Sequence, residues 1–178
     1  MIRRVVVVLF LLTAVSAAAH ARREPIPIAV SYGVFLPSDS TTQTVFGDSW
    51  PRLSIGVFDP QMAPEWRRTA DFTAYMHEED GEAKLYSLSF GAERRLSTKG
   101  LTQPYVALRA GPYYGKVEVP ALSIDESKIG LNANASLGVI YKERVFLEAR
   151  YDKFSRIAGF DFDGFTFWGG VRLFDIRL

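Results

Sequence analysis

The chain has no cysteine and only two histidines among its 178 residues. The first absence removes disulfides and thiolate metal sites, and the second leaves little for imidazole chemistry. No phosphate-cradling glycine loop, dinucleotide fingerprint or zinc-ligand spacing occurs, and the acidic stretches "HEEDGE" and "DFDG" lack the full calcium-loop spacing. No cofactor and no metal is therefore expected. An excess of charge of one sign is missing too, with 21 basic residues against 20 acidic ones, which argues against nucleic acid as a partner. Beyond the first residues there is also no sustained 3.6-residue apolar period, so a helical fold is not expected.

What is present begins with a three-part leader. "MIRR" is basic, "VVVVLFLLTAV" is apolar, and "SAAAHA" ends in an Ala-x-Ala site at Ala19 to Ala21. This is the build of a secretory signal, with cleavage expected after Ala21 and an apolar run shorter than the roughly 20 residues of a spanning helix. Residues 1–21 are read as the signal and 22–178 as one barrel domain. Without Arg3 and Arg4 the remainder has 21 − 2 = 19 basic residues against 20 acidic ones, a net charge of −1.

Eight segments then carry a two-residue period or strand-rich composition: Ile26 to Leu36, Arg52 to Asp59, Trp66 to Met76, Lys84 to Arg95, Tyr105 to Lys116, Ile129 to Tyr141, Val145 to Phe154 and Gly164 to Ile176. Most are longer than the usual 5 to 6 residues and match the roughly 9 to 11 of a tilted membrane-crossing strand. Long connections such as "PSDSTTQTVFGDSW", "VEVPALSIDESK" and "SRIAGFDFD" fall mainly at one end, while "KER" joins segments six and seven at the other. Long loops on one side and short turns on the other are the layout of an outer-membrane barrel.

Alternation alone does not say which face is inside, so the composition of the polar parity must. That parity is mostly Ser, Gly, Asn and Ala, and Lys84, Lys99, Lys116, Lys128, Lys142 and Lys153 all lie in connections or at segment ends. Small residues suit a crowded lumen, and a lysine at a strand end reaches water beside a bilayer. The mid-strand charges are Asp71, Glu93, Arg109, Glu148, Arg150 and Arg172. Inside a narrow barrel they must pair, so a salt-bridged lumen plug is expected. Trp50, Trp66, Tyr86, Tyr105, Tyr113 and Tyr141 stand near segment ends, where amphipathic rings favour the membrane interface.

From "IAVSYGVFLPSD" through "PYVALRAGPYYGK" and "LGVIYKERVFLEARYDKF" to "GFTFWGGVRLF", the chain resembles the small eight-stranded outer-membrane barrels of the OmpA/OmpX and opacity-protein type. The resemblance is one of layout. It implies an all-β, antiparallel, up-and-down transmembrane barrel in the outer membrane of a Gram-negative cell, with outer-membrane lipid and the barrel-assembly machinery as partners. Members of that class commonly end on an aromatic residue, whereas here Phe174 is followed by Asp175, Ile176, Arg177 and Leu178.

Some barrels of this size edit lipid A with a histidine, a serine and an acid. The one histidine outside the leader is His77, beside Glu78 and Asp80, with no His-x-Ser motif. The expectation is therefore a non-enzymatic barrel acting in envelope structure, adhesion or surface recognition, with loops Pro37 to Trp50 and Val117 to Lys128 as the recognition candidates. Two alternatives stand beside it. One is a soluble periplasmic barrel binding an apolar ligand, with Leu88, Phe90, Leu108 and Leu147 pointing inward; the other is a lipid-modifying enzyme built on His77.

Overall fold

A computed structural model describes residues 26–63, 65–78 and 81–176; the expected signal and Asp80 lie outside the described residues. Eight strands form one closed antiparallel barrel in sequence order. They are β1 (Ile26–Pro37), β2 (Trp50–Ala63), β3 (Trp66–Glu78), β4 (Glu82–Arg95), β5 (Thr102–Val119), β6 (Ile124–Tyr141), β7 (Val145–Phe154) and β8 (Gly164–Ile176). Closure comes from β1 on β8, with Val30 opposite Val171 and Val34 opposite Phe167, so no strand edge is left along the wall. No helix among the described residues is long and apolar enough to cross a membrane.

Period two sorts the side chains between wall faces. Along β5, Tyr105, Ala107, Arg109 and Tyr113 are buried in the lumen, while Val106, Leu108 and Tyr114 are exposed, Leu108 to 70 %. Phe90 and Leu147 are exposed and Leu88 shares their outward parity. The four residues that an apolar-pocket barrel needs inside therefore all point out. Ile55, Leu131, Leu137, Phe165 and Phe167 continue this belt, a band of apolar side chains around the barrel.

Two elements differ from the sequence reading. The connection from β1 to β2 contains a short helix, α1 (Ser40–Phe46), capped by Asp39, whose carboxylate accepts the Thr42 backbone N–H at 2.8 Å. In addition, most of Val117 to Lys128 is not loop. β5 and β6 stay paired from Thr102 opposite Tyr141 up to Val119 opposite Ile124, and only the tip, a 3₁₀ turn at Pro120–Leu122, breaks the ladder. Alternation continues through Val117 and Val119 but stops at the polar run Asp125 to Lys128, and the proline and acidic side chains read as loop composition.

The lumen is filled. Where β5 and β6 face each other, Gly138 lies opposite Tyr105, and a Cβ at Gly138 would come within 2.5 Å of the Tyr105 ring. Glycine on one strand thus makes room for a large ring on the next, which is how a narrow interior reaches close packing.

Candidate functional site

The interior has three levels. In the middle, β3, β5 and β7 bring Asp71, Arg109, Glu148 and Arg150 together. Arg109 donates to both Glu148 oxygens at 3.2 and 3.3 Å and lies 3.3 Å from Asp71 Oδ2. Arg150 donates Nε to Glu148 at 3.0 Å and both terminal nitrogens to Asp71 at 3.3 and 3.4 Å. Each arginine therefore bridges both acids, and each acid both arginines. Tyr105 donates its hydroxyl to Glu148 at 2.7 Å, and Thr73 donates to Asp71 at 3.0 Å, filling further acceptor sites. Charges this deep are tolerable only when paired and hydrogen-bonded, and these are both.

A third arginine completes the level. Arg52 is fully buried, donates to the Thr73 hydroxyl at 3.3 Å, and lies 3.3 Å from the Trp168 ring centroid. Arg150 approaches the same ring at 4.3 Å, so Trp168 serves two guanidiniums as a π partner. The remaining void here, lined by Ser54, Asp71, Arg109, Glu148 and Trp168 among others, is about 10 Å³, room for about one water molecule.

At the long-connection end the interior is apolar rather than polar. Phe46 of α1 drops into the mouth against Phe160, ring centroids 5.0 Å apart, and Trp50, Tyr75, Tyr113 and Phe154 form the wall around them. Polar tethers hold this stopper down. Thr42 donates its hydroxyl to the Asp161 carbonyl at 2.7 Å, Trp50 donates Nε1 to the Phe46 carbonyl at 2.8 Å, and Asp163 accepts from Phe154 N at 2.7 Å and Lys153 Nζ at 2.6 Å. The loop from Pro37 to Trp50 thus folds inward and closes the barrel.

Of the other charges expected in the lumen, Glu93 is buried with no hydrogen bond to its carboxylate among the described residues. Arg172 lies toward the short-turn end, where it meets Glu143 at 3.2 Å. Among the aromatics expected at the interface, Trp66 and Tyr141 are exposed and Tyr86 is half-buried on the outward parity. Trp50, Tyr105 and Tyr113 are a correction, because all three are buried inside. Their parity is that of Arg52 and Arg109, and parity overrides the enrichment of rings near strand ends.

His77 also departs from expectation. It lies on β3 rather than in a loop, is 8 % exposed, and stacks on Trp50 with ring centroids 5.7 Å apart. Its neighbour Glu78 pairs with Lys84 at 2.5 Å on the outward parity, so the two side chains leave opposite faces of the wall.

No protein-family model and no curated protein sequence matches the chain. Solved structures do. Neisserial surface protein A is similar at 21 % identity with a TM-score of 0.60, over 83 % of this chain and 95 % of that one. Ail, the attachment invasion locus protein of Yersinia pestis, is similar at 18 % identity and TM-score 0.56, over 85 % and 100 %. The outer membrane enzyme PagL is similar at 11 % identity and TM-score 0.55, over 82 % and 99 %. The fold is that of the eight-stranded outer-membrane barrels, a scaffold that carries an enzyme as well as surface proteins.

Proposed function

We propose that the chain is a non-enzymatic outer-membrane barrel that works by surface recognition, through the β5–β6 hairpin. One observation carries this reading. β6 pairs with β7 only from Asn132 to Tyr141, whereas its pairing with β5 runs on to Ile124. The outer edge of β6 before Asn132 thus has no strand beside it among the described residues, while β5 stays backed by β4 up to Glu118. At about 3.4 Å per residue the extra stretch adds roughly 25 Å along the strand. Ile129 on its flank is 76 % exposed and Leu122 at its tip 57 % exposed. An apolar side chain held out at the tip of a rigid ribbon suits a protein surface, while Ile129 continues the outward parity of Leu131.

The other candidate loop supports this by contrast, since α1 is spent on closing the mouth. A lipid-modifying role is disfavoured because His77 is turned into the stopper, away from the lipid side on which an acyl linkage would lie. Ail, described as an attachment invasion locus protein, is a neighbour consistent with surface recognition.

The test compares cells displaying the parent with cells displaying a trimmed hairpin, residues 120–123 replaced by a two-residue turn, which leaves the buried Val117 and Val119 in place. Outer-membrane fractionation and a heat-dependent gel shift report that each barrel is inserted. Loss of attachment to host cells or to neighbouring bacteria in the trimmed form supports the proposal. Unchanged attachment sinks it.

A further inference from the structure

At the short-turn end three arginines close on one carboxylate. Arg95 grips Glu143 with both terminal nitrogens, Nη1 to Oε1 at 2.9 Å and Nη2 to Oε2 at 2.6 Å. The same Oε2 takes Arg67 Nη2 and Arg172 Nη1, each at 3.2 Å. The arginines come from the neighbouring strands β3 and β4 and from β8, and all are largely buried, whereas the Glu143 side chain is 47 % exposed on the β6–β7 turn. Three guanidiniums around a planar two-oxygen group are a carboxylate receptor. The receptor is not saturated by the group it holds. Nε of Arg95 and Nε of Arg172 are buried with no hydrogen-bond partner among the described residues, and buried Glu93 hydrogen-bonds to neither.

The occupant is also the part of the site best placed to leave. Lys142 and Glu143 both adopt the left-handed region, φ +50° and +59°, though neither is glycine. Such a turn persists while its surroundings hold it, and backbone bonds do so here. Lys142 N donates to the Leu101 carbonyl at 2.7 Å, Arg144 N to that of Tyr141 at 3.1 Å and Arg172 N to that of Arg144 at 2.7 Å. The half-exposed Glu143 side chain can therefore leave the arginines while the turn stays.

We propose that Arg67, Arg95 and Arg172 form a binding site for a ligand carboxylate at the periplasmic mouth, which Glu143 occupies from within the chain until such a ligand replaces it. The placement on the periplasmic side rests on the membrane reading above. Two sources share this chemistry, a small organic acid and the free carboxyl end of a cell-wall peptide.

The experiment is calorimetric titration of the whole barrel in nanodiscs, open on both faces. The probes are succinate, a cell-wall tripeptide with free carboxylates, and the same peptide amidated. Glu143→Gln removes the internal competitor, and is expected to bind a free-carboxylate probe at least about tenfold more tightly than the parent. Adding Arg95→Gln to that variant is expected to weaken binding about tenfold or more, with Arg95→Lys as the substitute should the glutamine variant lose its heat-dependent gel shift. Equal affinity for succinate and peptide assigns the small acid; a stronger peptide assigns the cell wall. Binding no tighter in Glu143→Gln, or unchanged by amidation or by the Arg95 substitution, overturns the site. Labelling of Lys142→Cys by an impermeant maleimide on intact cells would overturn the periplasmic placement while leaving the binding result standing.

Discussion

Arg150→Ala removes the most connected cation in the lumen. The Arg150 side chain is 1 % exposed, donates to Asp71 and Glu148, stands 3.9 Å from Asp152 and lies over Trp168. Alanine leaves three buried carboxylates short of a counter-charge at once. Asp71 keeps Arg109 at 3.3 Å, Glu148 keeps Arg109 and Tyr105, and Asp152 keeps the Thr166 hydroxyl at 2.9 Å. Removing one partner of a buried ion pair costs about 3 to 5 kcal/mol, and the void left by the side chain adds to it. With a urea slope of about 1 to 3 kcal/mol per molar, the unfolding midpoint falls by roughly 1 to 5 M. The assay is equilibrium unfolding in lipid vesicles, read by the heat-dependent gel shift and tryptophan fluorescence. Pairing it with Asp71→Asn separates the network from simple volume loss, because a coupled pair departs from additivity by about 0.5 to 3 kcal/mol. An Arg150→Ala barrel within about 1 kcal/mol of the parent would refute the claim that this network carries stability.

Leu108→Arg places a charge at the most exposed mid-wall leucine of β5 and is expected to cost about 2 to 4 kcal/mol in lipid, whereas a water-facing wall would accept it within about 0.5 kcal/mol. Vesicle unfolding separates the two. Tyr105→Phe removes the hydroxyl that donates to Glu148 at 2.7 Å, and a loss of about 1.5 to 3 kcal/mol in the same assay is expected. Phe46→Ala takes the central ring out of the mouth stopper at an expected cost of about 3 to 5 kcal/mol, felt mostly by the loops. It shows as faster proteolysis between Pro37 and Trp50, with the barrel band intact.

Most of the wall is legible in the sequence because alternation is a local signal. It bounds β7 and β8 as observed and finds the other strands short at one or both ends. α1 escapes it because seven residues are two turns, too few for a period to emerge, and its cap at Asp39 carries no Glu or Gln three residues on to mark it. Nearness to a strand end points Trp50, Tyr105 and Tyr113 to the interface, while their shared parity with Arg52 and Arg109 is the stronger sign and places them inside. The Glu143 clamp is not legible at all. Arg67 and Arg95 share the β3–β4 hairpin, but Glu143 and Arg172 lie far from it in sequence, and only barrel closure brings all four together.

Stability alone does not account for a charged lumen, since apolar residues of similar volume often replace a buried ion cluster at no cost. A membrane barrel differs from a soluble core in one respect. Its outer parity is apolar already, so an apolar inner parity would make the two faces alike, and a one-residue slip of register would expose nothing worse than what it buried. Asp71, Arg109, Glu148 and Arg150 remove that ambiguity, because a one-residue slip of β3 or β5 turns one charge into lipid and a slip of β7 turns two. Combining Asp71→Leu, Arg109→Met, Glu148→Met and Arg150→Met in one chain is therefore expected to keep strand content while losing a single register. Amide spectra in nanodiscs would then show several peaks per residue in place of one, and the folded gel band would broaden. One sharp set of peaks from that variant would show that strand register is held by packing and turns alone.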